Sequence, residues 1–104
     1  MIKTITKEMA EARLGNVPEE KRFWVSDGRY LSNLEELKSA LEGMTDEVFS
    51  THSNANKSDF AVWVDEVIGD DKLARDLKKS STRVLAAKNV ASRINFLKSK
   101  TAKC

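Results

Sequence analysis

One cysteine, one histidine, one proline and four glycines are all that this 104-residue chain holds of those types. The cysteine is Cys104, so no internal disulfide and no cysteine metal cluster is available, and a free terminal thiol is expected. That scarcity suits a cytoplasmic setting. The lone histidine, His52, has no second imidazole or thiolate with which to build a zinc site, and Asp59 and Asp65 are poor substitutes. Apolar runs last only a few residues, far short of a membrane span. The N-terminal MIKTITKEMAEARLG lacks the apolar core of a signal peptide. There is no glycine-rich phosphate loop, no G-x-S-x-G and no C-x-x-C. Asp65, Glu66, Asp70 and Asp71 lack the order of a calcium loop and read as a solvated helix end with an acidic cap. No cofactor, metal, small-molecule substrate or catalytic residue is expected, and a non-enzymatic role follows as the expectation.

What is present is a charge imbalance along the chain. Apolar residues make up 40% and charged residues 33%, with a net charge of +2. Residues 23–75 carry five basic and eleven acidic groups, whereas residues 76–104 carry eight basic and one acidic. Such asymmetry points to an anionic partner, or to a basic tail folded onto its own acidic body. The second reading is slightly favoured. A nucleic acid would be met by Arg83, Lys88, Arg93, Lys98, Lys100 and Lys103. Those cations border both flanks of the apolar face of the last helix, as snorkelling residues do, instead of forming one stripe.

The pattern of elements is helical with one interruption. Residues 2–14 place Ile2, Ile5, Met9 and Ala12 at helical spacing behind Thr4 or Thr6 as cap. Residues 22–32, RFWVSDGRYLS, read as a β-hairpin about a two-residue Asp27-Gly28 turn. That register pairs Val25 with Tyr30 and Trp24 with Leu31, so Phe23, Val25 and Tyr30 share one face and Trp24 and Leu31 the other. Ser32-x-x-Glu35 reads as a capping box for a helix with Leu34, Leu37 and Leu41 inward. Thr45 caps the next, with Met44 and Phe49 at staple spacing. Asn56 and Asp59 start a helix over 57–68 that buries Phe60, Trp63, Val64, Val67 and Ile68 and stops at Gly69. Asp70 caps a helix with Leu73 and Leu77 inward. Ser80-Ser81-Thr82 starts the last helix, which carries Val84, Ala87, Val90, Ala91, Ile94 and Leu97 on one face. The fold expected is α+β and helix-rich: one hairpin (about 22–32) packed by four or five short helices. Residues 1–80 would form the compact part, and 81–104 a basic helix and tail packed on it.

Taken in order, FWVSDGRYL, LEELKSALEGM, DEVFSTH, Asn54 and DFAVWV followed by IGDDKLARDL resemble a family of small domains of unknown function, associated mainly with archaea and some bacteria. The likeness covers about residues 17–80. It implies a compact α+β module in a prokaryotic cytoplasm and supplies no catalytic residue. His52, Asn54, Asp59 and Trp63 belong to its pattern and, with the cap candidate Asn56, are expected to be structural. Core burial is the ordinary reading of Phe60 and Trp63, and helix-end hydrogen bonding that of His52. A lesser reading makes His52 and Asp59 a ligand or catalytic centre, which requires a pocket around the imidazole. Trp24, with Tyr30 and Leu31, is the candidate partner surface, because a lone hairpin needs covering and tryptophan anchors interfaces. A protein partner or self-association through the hairpin is therefore the leading expectation, and nucleic acid the alternative.

Overall fold

Hydroxyl and carboxyl caps set most helix starts in this chain. The computed structural model describes residues 5–54 and 57–101; Ile2, Thr4, Asn56, Lys103 and Cys104 lie outside the described residues. Helix α1 (Lys7–Leu14) begins where Thr6 Oγ1 accepts the Met9 N–H at 3.1 Å. Its inward residue is Ala10, while Ala12 is exposed. This rotation leaves Arg13 and Leu14 half-buried on the side facing the rest of the domain.

A 3-10 turn (Glu19–Lys21) leads into the hairpin of β1 (Phe23–Trp24) and β2 (Tyr30–Leu31). Its register differs from the sequence reading: Phe23 lies opposite Leu31, and Trp24 opposite Tyr30. The turn explains the difference. Val25 O accepts the Gly28 N–H at 2.8 Å, and Val25 N–H donates to Arg29 O at 2.8 Å. Only Gly28 has positive φ, at 101°, so the loop has three residues and a glycine bulge, not a two-residue turn with Asp27 left-handed. Asp27 reinforces it by accepting from the Arg29 N–H at 3.2 Å and from its guanidinium at 2.8 Å. A register slip of one residue exchanges faces. Phe23, Val25 and Leu31 therefore point into the core, and Trp24 and Tyr30 share the outer face.

Helix α2 (Leu34–Gly43) also starts one residue later than its first box suggests. Asn33 Oδ1 accepts the Glu36 N–H at 2.8 Å, and Glu36 Oε1 accepts the Ser32 N–H at 2.6 Å. Helix α3 (Asp46–His52) is capped by Thr45, whose Oγ1 accepts the Val48 N–H at 3.1 Å; Met44 and Phe49 are both buried. A minimal strand pair follows, β3 (Ser53–Asn54) with β4 (Lys57–Ser58), which the sequence did not announce. Ser58 Oγ then caps α4 (Asp59–Trp63) through the Ala61 N–H at 3.3 Å.

Helix α4 widens into a π-helical turn over Val64–Ile68 and ends at Gly69, φ 87°. Val64 O accepts from both Gly69 N–H (2.7 Å) and Asp70 N–H (3.1 Å). A side chain here meets no obstacle within 4 Å, so its cost is conformational. Gly69→Ala is expected to lower stability by about 1–2 kcal/mol in a urea titration, because an L-residue resists the left-handed region. Helices α5 (Asp71–Lys78) and α6 (Arg83–Thr101) complete the domain, and α6 packs on α2, α1 and α5. Thr82 Oγ1 accepts the Leu85 N–H at 3.1 Å at the start of α6. The inward stripe of α6 begins at Ala86 and continues through Ala87, Val90, Ile94 and Leu97; Val84 is 69% exposed, contrary to its expected place. Among the described residues the result is a helix-rich α+β domain with six helices and two small antiparallel pairs. No described helix is long and apolar enough to cross a membrane.

Of the core expected from spacing, Phe23, Val25, Leu34, Leu37, Leu41, Phe49, Phe60, Trp63, Val64, Leu73 and Leu77 are buried, and Val67 is partly so.

Candidate functional site

The hairpin is fastened on one side by aromatic packing. Phe23 lies 5.2 Å from the Phe60 ring in a stacked arrangement, and meets His52 (5.2 Å) and Trp63 (5.9 Å) edge-on. Phe49 stacks on Phe60 at 5.8 Å. Trp63 Nε1–H donates to Lys21 O at 2.9 Å, which satisfies the one polar atom of the indole and holds the chain entering β1.

His52 supplies the polar half of the attachment. Its Nε2 accepts the Ser26 N–H at 3.0 Å, and its Nδ1 lies 3.1 Å from Asp59 Oδ2. An imidazole nitrogen that accepts an amide proton carries none itself, so the proton sits on Nδ1 and is donated to Asp59. The hydrogen-bond pattern thus assigns the tautomer. Lys57 Nζ adds a contact to the same carboxylate oxygen at 3.3 Å, and Asn54 Nδ2 donates to Ser50 O at 2.9 Å at the end of α3. His52 is buried with both nitrogens engaged, so it has none to offer a substrate. It joins three parts of the fold: the hairpin turn, the end of α3 and the start of α4. No group of three or more potential ligands able to hold a metal occurs among the described residues.

The opposite face of the hairpin carries the exposed pair Trp24 and Tyr30. Trp24 is 53% exposed and Tyr30, directly across, 55%. The Arg22 guanidinium lies over the Tyr30 ring, 4.8 Å from its centroid. Leu31 is buried beneath, which corrects its expected place on the partner face; the three-residue turn is the cause. Val25 and Arg29 are hydrogen-bonded across the turn, so alternation in an antiparallel ladder directs the N–H and C=O of Trp24 and Tyr30 to the two outer edges. Two large aromatic side chains are thus presented together.

The basic residues of α6 are arranged differently from a phosphate-reading stripe. Arg93 is buried, with its Nε donating to Asp70 Oδ2 at 2.9 Å, so it does not stand on the outer face of α6, where a nucleic-acid backbone would lie. Arg83 closes the end of α2, donating to Leu41 O (2.8 Å), Glu42 O (3.1 Å) and Asp46 (3.1 Å). Lys98 pairs with Glu35 at 2.7 Å, and its hydrogen bond holds the Glu35 carboxyl below the usual range. Lys100 lies 5.3 Å from the Phe96 ring centroid. Of the described candidates, Lys88 and Lys100 alone have no carboxylate partner. The basic helix therefore spends three cations on the acidic body of its own chain.

Asp70 is where the sequence reading goes astray. It is fully buried, not part of a solvated acidic end. Its Oδ1 accepts the Leu73 N–H at 2.9 Å, capping α5 as expected, while Oδ2 accepts from Arg93 Nε (2.9 Å) and Arg13 Nη1 (3.2 Å). Burial pushes its carboxyl up. The Arg93 hydrogen bond, the Leu73 amide and the charges of Arg93 and Arg13 outweigh that and hold it below the ordinary carboxylate value. Three helices, α1, α5 and α6, meet on this one side chain. The available signal was an arginine in or beside an otherwise apolar helix face: Arg13 next to Ala10 and Leu14, and Arg93 next to Val90, Ile94 and Leu97.

No family model, curated protein or solved structure matches the chain. Function must therefore be argued from the geometry. Of the expected site residues, the fold brings Trp24 and Tyr30 together outside, and His52, Asp59 and Trp63 together beneath them. The α6 cations it distributes among separate ion pairs.

Proposed function

We propose that this domain is a non-enzymatic protein-interaction module whose contact surface is the outer face of the hairpin, centred on Trp24 and Tyr30. The observation that carries this reading is the paired exposure of the two aromatic side chains on a strand pair whose other face is fastened by Phe23, His52 and Trp63. A tryptophan and a tyrosine held side by side offer a large contact area at small entropic cost, and such residues dominate binding hot spots. A partner, or a second copy of the chain, would be met by these two side chains, since the backbone edge beside β2 is already taken at Ser32 by the Val17 N–H. A prokaryotic, cytoplasmic setting and membership of the small α+β family resembled by the hairpin and D-F-x-x-W-[VI] pattern form part of the same proposal. Nucleic-acid binding is the weaker reading, because Arg83, Arg93 and Lys98 are committed to acceptors within the domain.

Trp24→Ser and Tyr30→Ser are each expected to change folding stability by no more than about 0.5 kcal/mol, as exposed substitutions do. Each should abolish capture of the partner from its native lysate, or, where the partner is a second copy, shift sedimentation to the monomer at all concentrations. Unchanged capture and sedimentation in both variants would remove this reading.

A further inference from the structure

A second surface lies away from the hairpin. Helices α1, α5 and α6 border an open groove of about 790 Å³. Arg13 and Arg93 line it, and both spend a donor on the same oxygen, Asp70 Oδ2. One carboxylate thus faces two guanidiniums, leaving one positive charge in excess at a site where the side chains are only 12% and 9% exposed. The remaining N–H groups of these two arginines find no acceptor among the described residues, yet no buried side-chain polar atom there is left without a partner. Those donors are therefore not sealed from solvent, and the groove is the opening that both side chains line.

Arg75 lines the same groove, exposed and with no acidic partner among the described residues. Lys72 and Asp76 are closed on one another at 2.7 Å and contribute little net charge. Among the described lining residues, Asp71 is the carboxylate with no basic partner, and it is exposed. A flank of the groove is apolar, formed by Ile5 and by Phe96, which is 39% exposed. Arg93 also lies 4.8 Å from the Phe96 ring centroid, which orients its planar fork beside the aromatic ring.

We propose that this groove binds a small organic anion, with a phosphate or carboxylate head group on the guanidiniums of Arg75 and Arg93 and an apolar body against Phe96. Arginine forks match such oxyanions with two parallel hydrogen bonds, and partial burial weakens the competition from water. Asp70 keeps Arg13 and Arg93 in place before the ligand arrives. The site is independent of the hairpin reading.

The test is a titration of the full chain followed by NMR at constant ionic strength, reading the arginine Nε–H and Phe96 ring signals. Inorganic phosphate, phenyl phosphate and benzoate are the probes. Saturable shifts at Arg75, Arg93 and Phe96 are expected, with phenyl phosphate roughly tenfold tighter than phosphate because its ring is buried. Phosphate outperforming benzoate would mark a phosphorylated ligand, and the reverse a carboxylate. Arg75→Ala should weaken every probe roughly tenfold, and Phe96→Ala should cancel the advantage of the ring alone. Arg75 is exposed and makes no hydrogen bond to Asp70, so Arg75→Ala should melt as the parent does. Shifts that never saturate, that persist unchanged in Arg75→Ala, or that spread evenly over surface lysines would overturn the proposal.

Discussion

Asp70→Ala is expected to destabilise the domain by about 3–5 kcal/mol, a large share of the roughly 5–15 kcal/mol that holds an ordinary domain folded. Two effects combine. The α5 cap to the Leu73 N–H disappears, and Arg13 and Arg93 are left facing each other across the space where their common acceptor stood. The second effect dominates, since a half-buried charge without its partner is costlier than a lost hydrogen bond. Combining Asp70→Ala with Arg93→Met should recover part of the loss, because removing both members of a buried pair is far cheaper than removing one. Chemical denaturation of the two variants measures both. The sign of the pH dependence follows from the lowered folded-state carboxyl. The stability that Asp70 contributes is complete above its unfolded value of about 3.9 and is lost as pH falls from there through the folded value. The parent should therefore lose stability in that acid window, and Asp70→Asn should show a shallower loss there.

The second large effect is expected at His52. Alanine in its place leaves the Ser26 N–H without its acceptor and the Asp59 carboxylate with Lys57 in place of the imidazole, and opens a hole beside Phe23 and Phe60. Together these should cost about 2–4 kcal/mol. The loss should also be local, with the amides of the hairpin exchanging with deuterium faster than those of α2 and α6 at equal global stability. Asp59→Asn, which keeps an acceptor for Nδ1–H, should cost only about 1 kcal/mol. A comparable loss in the two variants would show that the carboxylate charge, not the imidazole bridge, fastens the turn.

Local rules were readable along most of the chain. Thr6, Thr45, Asp70 and Thr82 cap the helices that spacing assigns to them, and the leucines of α2 and the aromatic residues of α4 are buried as their periodicity implies. What failed was decided by competition between neighbours. Asp27-Gly28 supports either a two- or a three-residue loop, and the Arg29 bonds to Asp27 favour the longer one, so Tyr30 and Leu31 change faces. Ser32 and Asn33 both qualify as caps, and Asn33 takes the role. The missed site has a different origin. An arginine within an apolar stripe reads as a snorkelling residue when one helix is viewed alone. Only the three-helix packing of α1, α5 and α6 brings Arg13 and Arg93 to Asp70. The hairpin surface was half legible. Trp24 stood out by residue type, but its true neighbour, Tyr30, required the register.

The most direct measurement places a photo-crosslinking phenylalanine analogue at position 24 in the native cell, with position 84, which is more open to solvent, as control. A discrete adduct from position 24, lost when Tyr30→Ser is added and not formed from position 84, is the predicted result. No adduct from position 24, or one indifferent to Tyr30→Ser, would contradict the assignment of the hairpin face as the binding surface.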